Sequence, residues 1–154
     1  MIRFERTLDP VRVAAIRTHP KLYPWLADDY YPAPENFWPA MGETIFHVLC
    51  FDGDELLGLF SVNLVNRILW EVHVALLPQA WGARGKRAAR EFFTWTWANL
   101  PAEKLFGLIA DDNRAARNFA LRVGMRQCGR LMNALRRGGE LKDLVIFDLE
   151  RPKD

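Results

Sequence analysis

The chain has 154 residues, 50% of them apolar and 26% charged, a length and balance that suit one domain over residues 1–154 with one substantial core. A formal net charge of +2 is too small to argue for nucleic acid on bulk grounds, and no apolar run approaches the ~20 residues that span a bilayer. Met1 to Arg6 lacks the long apolar stretch of a signal peptide, so a cytoplasmic location is the default expectation.

In chain order, Ile2 to Thr7 reads as a short strand. Asp9-Pro10 is a helix start, with the aspartate as cap and proline in the first turn, and Val11 to Arg17 carries apolar residues at helical spacing. From His19 to Gly42, prolines interrupt a run of aromatics that includes Tyr23, Trp25, Tyr30, Tyr31, Phe37 and Trp38, which predicts a broken helix and an aromatic loop. Thr44 to Phe51, a turn at Asp52-Gly53, Leu56 to Leu64, a turn at Asn66-Arg67 and Ile68 to Leu77 predict an antiparallel meander.

After Pro78 the period changes to helical through Ala88, Ala89, Phe92, Phe93 and Thr96, with a stop at Leu100-Pro101. Lys104 to Ala110 reads as a buried strand. Asn113 to Val123 reads as a helix with Ala115, Ala116, Phe119, Ala120 and Val123 on one face, closed by Gly124 in a left-handed cap. Two strands around Gly138-Gly139 end near Leu149. The order β–α(α)–βββ–α–β–α–ββ joins an antiparallel half to a β–α–β crossover with parallel strands, which predicts an α/β fold: a mixed, mostly antiparallel twisted sheet with helices on both faces. Cys50 and Cys128 lie in apolar, strand-like stretches and read as buried thiols; with His19 and His47 they show no ligand spacing, so no metal site is expected.

Two segments carry chemistry. In the first, the strand Trp70-Glu71-Val72-His73-Val74-Ala75-Leu76-Leu77 runs through Pro78-Gln79-Ala80-Trp81-Gly82 into a helix whose first N–H groups are free to face an anion such as pyrophosphate. Gly82 and Gly85 allow close backbone approach, and Arg84, Lys86 and Arg87 add positive charge. In the second, Asp111-Asp112-Asn113-Arg114-Ala115-Ala116 continues through Phe119 and Ala120 to Gly124-Met125, with Asn113 as an N-cap. Glu71 and His73 point to one face of their strand, a carboxylate and an imidazole able to take a proton from an amine directly or through water. The alternatives are structural: Glu71 paired with an arginine such as Arg67, and His73 a packed core residue.

Together the two segments resemble the GNAT N-acetyltransferases, across about residues 44 to 149. The strand-turn-helix is similar to their CoA-binding motif, and Asn113-x-x-Ala116 followed by Gly124-Met125 is similar to their Asn-x-x-Ala…Gly-Phe signature. Glu71-Val72-His73 with Pro78-Gln79-Ala80-Trp81-Gly82 is most similar to the branch that acetylates ribosomal-protein amino termini. The resemblance implies a GNAT-like fold and direct transfer of an acetyl group from acetyl-CoA, as cosubstrate, to a primary amine. It implies Glu71 as general base with His73 secondary, and N–H groups from Val74, Ala75 and Leu76 near the thioester oxygen. Gln79, Trp81, Gly82, Ala83, Arg84, Gly85, Lys86, Arg87, Asn113, Ala116 and Phe119 complete the implied cofactor contacts.

The chain departs from the pattern at two positions: Arg84 replaces the second loop glycine, and Ala120 stands where many members place a tyrosine that protonates the departing thiolate. Tyr23, Tyr30 or Tyr31 are the substitutes available from the front loop. Two other readings stay open, a CoA-binding module without catalysis and nucleic-acid binding through Arg84, Lys86, Arg87 and Arg90. The acceptor amine falls to the Tyr23 to Trp38 region, and six tryptophans with an aromatic front are compatible with a homodimer.

Overall fold

The computed structural model describes residues 1–154. Its elements run β1 (Ile2–Thr7), α1 (Pro10–Arg17), α2 (Tyr23–Leu26), β2 (Ile45–Asp52), β3 (Glu55–Leu64), β4 (Leu69–Leu76), α3 (Ala83–Asn99), β5 (Lys104–Ala110), α4 (Arg114–Arg122), β6 (Arg126–Arg137) and β7 (Glu140–Glu150). The strands form one seven-stranded sheet in the order β1-β2-β3-β4-β5-β7-β6, parallel only between β4 and β5. No helix is long and apolar enough to cross a membrane.

The expected caps are present. The Asp9 carboxylate accepts from the Val11 N–H with Pro10 opening α1, the Asn113 side chain accepts from the Ala116 N–H, and Gly124 follows α4 at φ +104°. Three expectations are corrected. The β2–β3 turn is Gly53-Asp54, because Asp52 still pairs with Glu55. Ala115 is exposed, since the inward stripe of the short α4 turns on Ala120. Cys128 is exposed as well: a bulge between Gln127 and Gly129 leaves it unpaired on the edge strand β6, whereas Cys50 is buried and its thiol is pushed up to about 12 by that burial.

The alternation of β4 divides its side chains between two cores. Trp70, Val72 and Leu76 face the larger one, where α3 packs through Ala88, Ala89, Phe92 and Phe93. Ala75 faces the smaller one, built with Leu49, Leu59 and the Val13 and Ile16 side chains of α1. Phe92 is fully buried and stacks on Phe60 with centroids 4.5 Å apart and on Trp95 at 5.5 Å, with the Phe4 ring edge-on at 5.5 Å.

On the α1 face a polar row crosses the sheet. Register places Thr7 opposite His47, His47 opposite Ser61 and Ser61 opposite His73. His47 is 2% exposed; its Nε2 lies 2.8 Å from the Ala40 carbonyl and its Nδ1 2.7 Å from Ser61 Oγ. A carbonyl only accepts, so Nε2 carries a hydrogen, and in the neutral imidazole Nδ1 accepts from the Ser61 hydroxyl. That hydroxyl in turn accepts from an Arg17 N–H at 3.0 Å. The chain of donors thus runs from α1 through the sheet to the loop before β2. This direction goes with a neutral His47, whose imidazole is held below its ordinary value of 6.5 by burial first, with the nearby positive charge of Arg17 adding to the effect.

Two outcomes follow. Phe92→Ala is expected to cost about 3–5 kcal/mol of unfolding free energy in urea titration, the range for a buried aromatic truncated in a core. For His47, the unfolded chain takes up a proton below 6.5 that the folded chain refuses, so its contribution to stability is complete above that value and declines as pH falls. Urea midpoints near pH 7.5 and pH 5.5 should show a smaller drop for His47→Asn than for the native chain; equal drops would exclude His47 as the source.

Candidate active site

The sheet opens at its centre. β4 and β5 pair through only Leu69–Lys104, Trp70–Leu105 and Glu71–Phe106, although β4 continues to Leu76 and β5 to Ala110. The Leu77 N–H donates to the Leu57 carbonyl on β3, so strand alternation turns the N–H and C=O groups of Val74 and Leu76 toward the gap. Trp81 takes one of them: its indole N–H donates to the Leu76 carbonyl at 2.9 Å.

The turn beyond Leu76 aims α3 at this opening. Gly82 sits at φ +91°, which an L side chain rarely adopts, and a Cβ at Gly85 would lie 2.5 Å from the Ala80 carbonyl. These glycines set the entry angle of the helix and its close seat on the turn. The first i→i−4 bond of the turn is Lys86 N–H to the Gly82 carbonyl, leaving the N–H groups of Ala83, Arg84 and Gly85 without a protein acceptor.

Side chains at the turn are less free than the sequence suggests. Arg84 is held by Asp52 at 3.2 Å and Glu55 at 2.7 Å, on the β2–β3 hairpin, and Arg87 pairs with Glu91 at 2.9 Å. The Gln79 amide donates to the Leu56 carbonyl at 2.8 Å. Lys86 has no carboxylate partner. It shares a stripe with Arg90, which donates to the Arg122 carbonyl at the end of α4, and so lies on the α4 side of α3. Across the gap Asn113 uses its Oδ1 as the cap at 3.2 Å and keeps its amide N–H groups unspent; Ala116 and Phe119 are half-buried behind it.

Glu71 and His73 meet on the α1 face of β4. His73 Nε2 is 3.0 Å from Glu71 Oε1 and 3.4 Å from Asn63 Nδ2. One nitrogen cannot donate to the carboxylate and accept from the amide. The shorter, charge-assisted contact assigns its hydrogen to Glu71 and leaves Nδ1 as the accepting nitrogen. The His73 hydrogen bond holds the Glu71 carboxyl below the usual range, against the opposing effect of burial. No arginine pairs with Glu71, and His73 is exposed rather than packed in the core.

Beside this pair is a cavity of about 100 Å³ lined by Arg17, Tyr23, Leu26, Tyr31, Phe37, Leu59, His73, Val74 and Ala75. It meets the strand opening along His73–Ala75. Tyr31 and Phe37 stack at 6.3 Å, and Tyr23 stands at 5.7 Å from Phe37. The Tyr23 hydroxyl donates to the Pro32 carbonyl at 2.6 Å; that of Tyr31 has no protein partner, and Tyr30 points out of the cavity at 78% exposed. Ala120 is buried in the main core and offers nothing here. The wall is fastened at its base by Arg137, which donates to the Trp25 and Ala27 carbonyls and to Asp112, and by Asp29, which accepts from the Gly138 and Gly139 N–H groups at 2.7 and 2.8 Å. Sequence reasoning missed Arg17, Ser61 and His47: the first reads as an ordinary helix-end cation and the others as isolated strand residues.

A search of the curated proteins gives no match. Among solved structures, a spermidine N-acetyltransferase from Vibrio cholerae, in complex with CoA and spermine, superimposes with a TM-score of 0.77 over 97% of this chain and 95% of its own, at 12% identity. An acetyltransferase of the GNAT family from Bacillus anthracis gives 0.59 over 70% and 66%, at 15% identity. The fold is therefore the GNAT fold. Residues 41–153, well over half of the chain, match the family described as "Protein of unknown function (DUF2824)", and the protein belongs to that family.

Proposed function

We propose that the protein is an acetyl-CoA-dependent N-acetyltransferase that acts on a primary amine. The observation that carries this reading is the parting of β4 and β5 over the unpaired N–H groups that open α3, beside a carboxylate–imidazole pair. The residues fit such a cosubstrate. Ala83, Arg84 and Gly85 would bind pyrophosphate through their backbone N–H groups, Lys86 through its ammonium, and the Asn113 amide would bind the pantetheine arm. The Val74 N–H, facing the gap, is the donor for the acyl oxygen. Acetyl-CoA supplies an acyl group activated as a thioester.

The chain's own part is proton handling. The amine must lose a proton to become a nucleophile; His73 receives it at Nδ1 while its Nε2–H stays on Glu71, whose negative charge stabilises the imidazolium. A nitrogen–carbonyl bond then forms as the carbon–sulfur bond breaks; Tyr31, whose hydroxyl has no protein partner, would give its proton to the sulfur and be restored by the second proton that the nitrogen loses. His73 thereby moves from secondary participant to the member of the pair that reaches the cavity. The similar structures support the GNAT fold and not the ribosomal-protein branch that residues 71–82 resemble, so that resemblance does not select the acceptor.

Two experiments test the site. Lys86→Ala is expected to weaken acetyl-CoA binding by about 1.5–3 kcal/mol in calorimetry, the scale of a charged hydrogen bond, whereas Arg84→Ala should lower the melting temperature and leave the affinity nearly unchanged. Equal losses of affinity would return Arg84 to the phosphates. Glu71→Gln and His73→Gln should each keep acetyl-CoA binding and lower kcat by about 10²–10⁴-fold, with the double variant little worse than the poorer single one. A folded Glu71→Gln protein with an undiminished single-turnover rate would remove the pair from the chemistry.

A further inference from the structure

The guanidinium of Arg17 is a charge without a matching acid beside the site. It lies at the C-terminal end of α1, half-buried, and lines the cavity beside His73. Its protein hydrogen bond goes to Ser61 Oγ, and it has no carboxylate within ion-pair distance, although a guanidinium carries five donors. Three other arginines are matched to acids: Arg137 on β6 to Asp112, Arg130 on β6 to Asp143, and Arg84 on α3 to Asp52 and Glu55. The groups facing Arg17 add no negative charge. His47 is an imidazole whose protonation burial disfavours, Tyr31 presents a phenol, and no aspartate or glutamate lines the cavity. An enclosed cation without a counter-ion costs free energy unless function supplies an anion.

Resting on the acetyltransferase reading, we infer that the acceptor is a small amino acid in free form, bound with its carboxylate on Arg17 and its amine toward His73. Both groups line one cavity of about 100 Å³, well under the ~300–1,000 Å³ of drug-sized sites, so the acceptor that fits is small. Tyr31, Phe37, Leu26 and Leu59 give its side chain an apolar and aromatic lining. A polycation would meet Arg17 without a balancing acid. A peptide amino terminus has an amide where the inferred acceptor has a carboxylate, and so leaves Arg17 without an anion.

The test compares matched acceptors with the full-length protein: alanine, leucine and phenylalanine, each beside its primary amide and its decarboxylated amine. CoA release is followed for turnover, and calorimetry follows binding of the corresponding N-acetyl amino acids, which reports on the cavity whether or not turnover is fast. At least one free amino acid should exceed its amide and its amine by about 100-fold or more in kcat/KM, through KM. Arg17→Gln should abolish that preference and the binding of the N-acetyl amino acid while leaving acetyl-CoA affinity intact; Arg17→Lys, which keeps the charge but loses the planar fork, should restore part of both. Amides or amines that equal or exceed the acids, or a preference that survives in Arg17→Gln, overturn the inference and leave the acetyltransferase standing. Failure of the native chain to bind any N-acetyl amino acid overturns it too. Absence of acetyl-CoA binding strikes the underlying reading instead.

Discussion

Everything proposed for this molecule depends on two strands that stop pairing. β5 is fully paired with β7, from Lys104–Glu150 to Ala110–Leu144, and β4 is paired with β3 from Trp70–Leu64 to Leu76–Gly58. Between these two ladders only three residue pairs hold. The sheet is thus two antiparallel units stitched at one end, each with its own twist, and the twist carries their far ends apart. Backbone groups left unpaired by the parting would be expensive if buried without partners. The Trp81 indole satisfies the Leu76 carbonyl; those of Val74 and the Leu76 N–H remain for whatever enters the gap. A helix starting at Ala83 then points its free N–H groups at the same opening, so the scaffold assembles an anion-seeking surface from backbone atoms alone.

The second layer of the site is built from side chains on the opposite face of β4, and there direction matters more than distance. With His47 neutral, the donor chain from Arg17 to Ser61, from Ser61 to His47 and from His47 to Ala40 admits one assignment of hydrogens. The Glu71–His73 contact likewise admits one once Asn63 is considered. These two networks meet where Ser61 stands opposite His73, so the cation of one and the imidazole of the other face one cavity. The arrangement fixes the imidazoles in different roles, His47 as a neutral relay inside the sheet and His73 as an accepting group at its surface.

Much of the fold was legible because hydrophobic period, prolines and cap residues agree along the chain: β1, β5, the caps of α1 and α4, and the parallel crossover were all foreseen. The resemblance of the Glu71–Gly82 and Asn113–Met125 segments pointed to the fold that the structure shows. Lateral register was not legible. A two-residue turn at Gly53-Asp54 would by itself place His47 opposite Phe60; a bulge between Cys50 and Phe51 shifts the ladder by one, so that His47 faces Ser61. That single inserted residue creates the polar row, and nothing in the local sequence announces it. Side-chain commitment was equally hidden. Arg84 reads as a phosphate ligand because it follows Gly82 closely, yet Asp52 and Glu55, distant in sequence, claim its guanidinium. The three tyrosines of the front loop were indistinguishable until the Tyr23 hydroxyl was seen to be spent on Pro32.

The wall in front of the cavity also bears on the entropy of the chain. Between the end of α2 at Leu26 and the start of β2 at Ile45 lies a long, mostly irregular connection, a length at which loops are usually either disordered or put to use. Here it is pinned at Ala27 by Arg137, at Asp29 by the Gly138-Gly139 turn, at Pro32 by Tyr23 and at Ala40 by His47. The longest span between pins is 33–39, and it contains its own 3₁₀ turn at Pro34–Asn36. Freezing a backbone residue costs about 1–2 kcal/mol, and these fastenings make that cost part of folding. A molecule arriving at the cavity therefore finds its wall already ordered, and its binding free energy is not spent on closing a loop.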